Sequence, residues 1–167
     1  LTDDPEMVAK AYASGVAMGG ELIAPGQRTP RFLLWATRDP ASAPLARLQI
    51  IKGWIENGET KERIYDAACS DRQSVDPTTH RCPDNGARVD LTDCQFSQDV
   101  GDPELLTLWT DPEFDPAARA MYYVRVLENP TCRWTTWDAI RAGVAPNPAL
   151  PATLQERAWS SPIWITP

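Results

Sequence analysis

The run from Arg119 to Trp137, RAMYYVRVLENPTCRWTTW, constrains this chain more than any other stretch. Its first half alternates and is rich in β-formers: Met121, Tyr123, Arg125 and Leu127 fall on one face, Tyr122, Val124 and Val126 on the other. Such period-two alternation predicts a strand buried on at least one side and central to a sheet. Asn129-Pro130 is expected to stop it, Cys132 follows, and a short helix is expected to open at Thr135 with Asp138 completing a capping box.

The same signature recurs along the chain. Arg31–Thr37 (RFLLWAT) is a short apolar run expected to be a buried strand. Leu45–Ile55 alternates Leu48, Ile50 and Lys52 against Gln49, Ile51 and Gly53, and Lys61–Ala68 returns after Glu56-Asn57-Gly58-Glu59. Asn-Gly supplies the positive φ that a tight hairpin needs. Ala87–Phe96, Glu104–Thr110 and Ile163–Thr166 are further candidate strands, and Val16–Leu22 is a short extended piece bent at Gly19-Gly20. Asp4-Pro5-Glu6 predicts a helix start, with Met7, Val8, Ala11 and Tyr12 as its apolar stripe and Gly15 as its end. Ala24–Pro30 reads as a loop, and so does the long polar stretch Ser70–Asn85. Thr153-x-x-Glu156 predicts a second capped helix near the end. About six to eight short strands at turn-punctuated spacing predict a mainly β, immunoglobulin-like antiparallel β-sandwich with short peripheral helices. Tyr122 and Tyr123 invite a loose comparison with the corner tyrosine of that fold, with core packing as the plainer expectation.

With 167 residues and 18.5 kDa the chain is expected to form one domain. A net charge of -7 with only Lys10, Lys52 and Lys61 as lysines leaves no basic stripe for phosphates, which argues against nucleic acid. No apolar run reaches the roughly 20 residues of a membrane-spanning helix. The absence of a signal peptide and the opening at Leu1 suggest a processed product or, more economically, the C-terminal piece of a longer polypeptide.

Cys69, Cys82, Cys94 and Cys132 are separated by 13, 12 and 38 residues, with no C-x-x-C pair to hold zinc. Two disulfides in an oxidising, periplasmic or secreted setting fit better. Three pairings are open; Cys69–Cys132 with Cys82–Cys94 is favoured because Cys69 and Cys132 both end expected strands. Oligomeric state is not legible.

The chain offers few groups for chemistry. Among its seven tryptophans, Trp35, Trp109 and Trp164 are expected in the core, whereas Trp54, Trp134 and Trp137 are candidates for an exposed ligand or interface patch. Asp111, Glu113 and Asp115 are spaced for a possible cation but lie among Asp-Pro turns, which favours turn chemistry. His80, the one imidazole, is expected at the surface, with no nucleophile elbow to serve. Glu156 is read as a helix cap and Arg157 as a surface or interface residue. No catalytic, cofactor or metal residue is assigned.

Four strings occur together: MGGEL, RLQIIKGWIENGETKERIYDAACS, TLWTDPEFDPAARAMYYVRVLENPTCRW and TLQERAWSSPIWITP. They resemble the C-terminal region of a family of large exported bacterial proteins, domain-of-unknown-function family 3604. The resemblance runs from about Asp4 to Pro167. It implies an upstream part similar to the polymerase-and-histidinol-phosphatase superfamily of metal-dependent phosphoesterases. None of that part's metal motifs lies here, so the resemblance carries over no ligand; a divalent metal would belong to the parent protein. The expectation is a non-catalytic, disulfide-tied C-terminal β-sandwich packed on an upstream catalytic part. The alternative is a stand-alone carbohydrate- or ligand-binding module using exposed tryptophans.

Overall fold

The structure is a computed structural model that describes residues 4–23 and 29–167. Most of the expected Ala24–Pro30 loop therefore lies outside the described residues, as does Leu1. The fold is mainly β and sandwich-like. Helix α1 (Met7–Ser14) is followed by strands β1 (Glu21–Ile23), β2 (Arg31–Thr37), β3 (Leu45–Glu56), β4 (Glu59–Cys69), β5 (Glu104–Thr110) and β6 (Ala120–Cys132). Helix α2 (Trp134–Ala142) and strands β7 (Thr153–Trp159) and β8 (Ile163–Thr166) complete the described elements.

The larger sheet has the order β1-β8-β6-β3-β4, with β7 also pairing β6, and the smaller one is the β2–β5 ladder. All pairings are antiparallel except β1 with β8. The Asn57-Gly58 hairpin forms as expected, both residues having positive φ (53° and 81°), and it registers β3 on β4 from Glu56↔Glu59 onward. Strand β6 is central, as its alternation implied. It does not stop at Asn129-Pro130 but runs on to Cys132, because a register shift between Leu127 and Pro130 accommodates the missing N–H.

Phe32 and Leu34 of β2, Leu105 of β5, Leu48 and Ile50 of β3, Tyr65 of β4, Tyr122 of β6 and Ile165 of β8 form the core between the two sheets. Trp109 packs against it. Trp35 and Trp164 do not: they are 52% and 50% exposed, because each alternates out of phase with its strand's buried residues (Leu34 and Ile165) and so points away from the core. Gly101, at φ +91°, closes the packing beside β3; a Cβ there would lie 2.6 Å from Asn129 Nδ2 and 2.7 Å from Pro44 Cβ.

Three further expectations are corrected. Thr153–Trp159 is strand β7, not a capped helix. Arg133 N and the Thr136 hydroxyl both donate to Ala152 O (2.9 and 2.8 Å), which feeds the chain out along β6. Helix α2 starts one residue before Thr135, without a side-chain cap, and ends at the left-handed Gly143 as its sequence implied. Ala87–Phe96 forms only the isolated bridge Val89↔Phe96.

The disulfides are Cys69–Cys82 and Cys94–Cys132, each with Cα atoms 5.6 Å apart. The favoured pairing of Cys69 with Cys132 fails because β3 lies between β4 and β6, placing the two strand ends two sheet spacings apart, beyond the roughly 7 Å reach of a disulfide. The long Ser70–Asn85 loop is instead stapled to the strand it leaves.

Candidate functional site

Strand β3 carries a cation into the core. Lys52 alternates with Leu48, Ile50 and Trp54, so the pleat aims it between the sheets, where its side chain is only 8% exposed. The Asp-Pro turn after β5 supplies its partner. Lys52 Nζ donates to Asp111 Oδ2 at 2.6 Å and to the Glu113 carbonyl at 2.7 Å. The Tyr122 hydroxyl donates to the same Asp111 oxygen at 2.7 Å. Beside them, Tyr65 donates to Glu113 Oε2 at 2.8 Å, and Arg63 grips Glu113 through both carboxylate oxygens.

The network ties three strands and a turn together. It borders a shallow cavity of about 300 Å³ shared by Lys52, Trp54, Glu56, Glu113, Asp115 and Tyr122. Lys52 Nζ stands 5.3 Å from the Trp54 ring centre, in cation–π range. Trp54, a candidate contact residue, is thus half-buried against the core. Tyr122 packs in the core, as expected, and its hydroxyl also anchors Asp111.

The three acids of the turn do not converge. Asp111 faces Lys52, Glu113 faces Arg63 and Tyr65, and Asp115 accepts the Ala117 amide at 2.9 Å. No group of three or more potential metal-ligating residues occurs among the described residues. His80 departs from its expected exposure. It is half-buried, its ring edge-on to Tyr65 at 5.2 Å, while its carbonyl accepts the Asp66 amide.

Burial pushes the Tyr122 and Tyr65 phenols well above the ordinary tyrosine range, and the hydrogen bonds to Asp111 and Glu113 add to this. Below about pH 10 both phenols are neutral folded or unfolded, and their stabilising contribution is fully present. Above it the unfolded chain loses protons that the folded chain keeps, so stability falls as pH rises toward the folded values. Urea unfolding midpoints should fall from about pH 9 to about pH 11; a flat profile would contradict the hydroxyl placements.

The outer face of the large sheet has two ends of different character. Cross-strand register places Ile64, Ile51 and Tyr123 in one row and Glu62, Gly53, Met121, Trp164 and Glu21 in the next. Ile55 of β3 and Ile23 of β1 flank them and are 69% and 72% exposed. The other end carries Arg47, Leu127 and Arg157 in one row and Asp66, Gln49, Arg125 and Trp159 in the next.

Of the remaining candidates, the two tryptophans of α2 belong to none of these rows, and Arg157 lies at the basic end. Trp134 and Trp137 lie one turn apart on the exposed side of α2, opposite buried Thr136 and Ala139, with Arg141 stacked 5.0 Å from the Trp137 ring. Arg157 is on strand β7, not a helix, and faces outward beside Leu127. The Lys52–Asp111–Tyr122 network was missed from sequence, although a lysine in phase with Leu48 and Ile50 was its visible signal.

Among the described residues no helix is long and apolar enough to cross a membrane. One family profile matches residues 1–167, that described as "Protein of unknown function (DUF3604)". No curated protein matches the chain. No solved structure matches it either.

Proposed function

The chain belongs to the DUF3604 family, and we propose that it acts as a non-catalytic docking region of a larger exported protein whose upstream part is hydrolase-like. The observation that supports this is the apolar end of the outer sheet face. One solvated face of an antiparallel sheet is ordinarily polar. Here Ile23, Ile55 and Trp164 are exposed around half-buried Ile64, Met121 and Tyr123, an apolar cluster rimmed by Glu62 and Glu21 of the kind that marks a contact surface. Gly53 at its centre lets Met121 lie across β3, since a Cβ there would come within 2.9 Å of Met121 Cε.

The proposed occupant is the upstream part of the same polypeptide, in line with the resemblance of the four strings. The two disulfides support export to an oxidising compartment. The buried ion pair in this reading is structural: Asp111 is engaged by Lys52 and Tyr122 together.

Co-expression of the upstream part and this chain as separate polypeptides tests the reading. The wild-type pieces should copurify, and an Ile55→Asp, Trp164→Asp variant should not, with its circular dichroism and melting unchanged. Independent elution of the wild-type pieces, or undiminished capture of the variant, would overturn it.

A further inference from the structure

The basic end of the outer sheet face is unexpected in a chain of net charge -7. Three strands contribute to it. Arg47 of β3 and Arg157 of β7 flank Leu127, and Arg125 of β6 lies in the adjoining row between Gln49 and Trp159. Arg81, from the disulfide-stapled loop, reaches the same place through Asp66, 3.6 Å away.

The carboxylate that pairs with Arg47 and Arg81, that of Asp66, is already committed. Asp66 Oδ1 accepts Gln49 Nε2 at 2.6 Å, and Oδ2 accepts the Cys82 amide at 2.7 Å. Arg47 Nε stops 3.9 Å short of it and has no hydrogen-bond partner although buried. Gln49 Oε1 in turn accepts Arg125 Nε at 2.8 Å, which fixes that side chain at its base. Arg125 is thus anchored at its base, and Arg47 and Arg81 share one carboxylate between them, which leaves positive charge here to meet an oxyanion.

Beside them runs a groove of about 660 Å³, floored by Arg47, Pro130, Leu154 and Gln155 and walled by Pro83 and Asp84. That volume suits an oligosaccharide or drug-sized ligand. Asp84 is the acid at its lip, and its Oδ1 accepts the Gly86 amide at 2.9 Å. Two positions along β7 from Arg157, Trp159 stands 57% exposed, in register with Arg125. A flat aromatic face beside a guanidinium matches a sugar ring bearing an acidic substituent better than an extended acidic peptide, which would leave the ring unused.

We propose that Arg47, Arg125 and Arg157, with Trp159, form a binding site for an acidic glycan, the arginines taking its carboxylate or sulfate groups and Trp159 stacking on a ring. The site lies at the opposite end of the face from the Ile55–Trp164 patch and does not depend on the docking reading.

The test is titration calorimetry on the full protein with oligogalacturonate (carboxylates), dextran sulfate (sulfates), neutral dextran, polyglutamate and inorganic sulfate. At least one acidic glycan should bind, more weakly as salt rises, and neutral dextran should not. Oligogalacturonate binding alone assigns the substituent as carboxylate, and dextran sulfate binding alone as sulfate. Arg157→Glu should weaken binding at least about tenfold and Trp159→Ala about fivefold; both residues are exposed, so melting should not change. Ile55→Asp, Trp164→Asp should bind as the wild type does. Failure of both acidic glycans, equal binding by Arg157→Glu, or polyglutamate binding as tight as the glycans would overturn the proposal. So would inorganic sulfate binding as tightly, which would mark an adventitious ion only.

Discussion

Asp111→Ala is expected to destabilise the protein by about 3–5 kcal/mol, because it leaves a lysine buried without its counter-charge. The carboxylate is fully enclosed and takes Lys52 Nζ and the Tyr122 hydroxyl on the same oxygen. Removing it strands both donors in the core, and the Glu113 carbonyl alone cannot compensate the ammonium. For a chain of this size the loss corresponds to a fall in Tm of about 10–15 °C. Lys52→Met should cost less, since its methylenes keep the packing against Trp54, and Asp111 keeps the Tyr122 hydroxyl and the Glu113 amide as donors while losing its counter-charge. The triple variant Lys52→Met, Asp111→Leu, Tyr122→Phe should regain much of the loss, as replacing a whole buried polar set by apolar groups often does. Urea unfolding of the four proteins checks this. A Tm for Asp111→Ala within a degree or two of wild type would mean that the pair is solvated.

The second large effect concerns the disulfides. Loop-closure entropy makes the Cys94–Cys132 bond, which spans 38 residues, worth about 4 kcal/mol. The Cys69–Cys82 bond spans 13 residues and is worth about 3 kcal/mol. Cys94→Ala, Cys132→Ala is therefore expected to lower stability more than Cys69→Ala, Cys82→Ala. The longer bond also ties the weakly structured segment after Ala87 to the end of β6, whereas the shorter one closes a loop already held by Asp66 through Cys82 N and His80 O. Denaturant midpoints of the two paired-alanine variants measure the order. Free thiols appearing in either variant's remaining cysteines would show a different pairing.

Much of the framework was legible because its signals were local. Asn57-Gly58 needs only its own φ angles to make a hairpin, and Met121–Leu127 declares its strand by alternation alone. What failed was set by distant partners. TLQERAW carries good helix formers and a capping pattern, yet β6 offers it a ladder and Ala152 is pinned by Arg133 and Thr136. Pro130 looked like a terminator, but the register shift beside it lets the strand continue to Cys132. The disulfide partners depended on β3 lying between β4 and β6, which no spacing encodes. The site residues divide in the same way. Lys52 was visible as a charge at a core position, whereas Arg47, Arg125 and Arg157 are scattered in sequence and meet only through the order of the sheet.

The docking reading turns on whether the Ile23–Ile55–Trp164 end of the outer face is covered in the intact protein. Hydroxyl-radical footprinting of full-length protein against the excised chain measures that directly. Trp35, which is 52% exposed on the smaller sheet, serves as the internal reference. The account predicts that Ile55, Met121 and Trp164 label several-fold less in the full-length protein while Trp35 labels equally in both. Equal labelling of Trp164 in the two forms would contradict it.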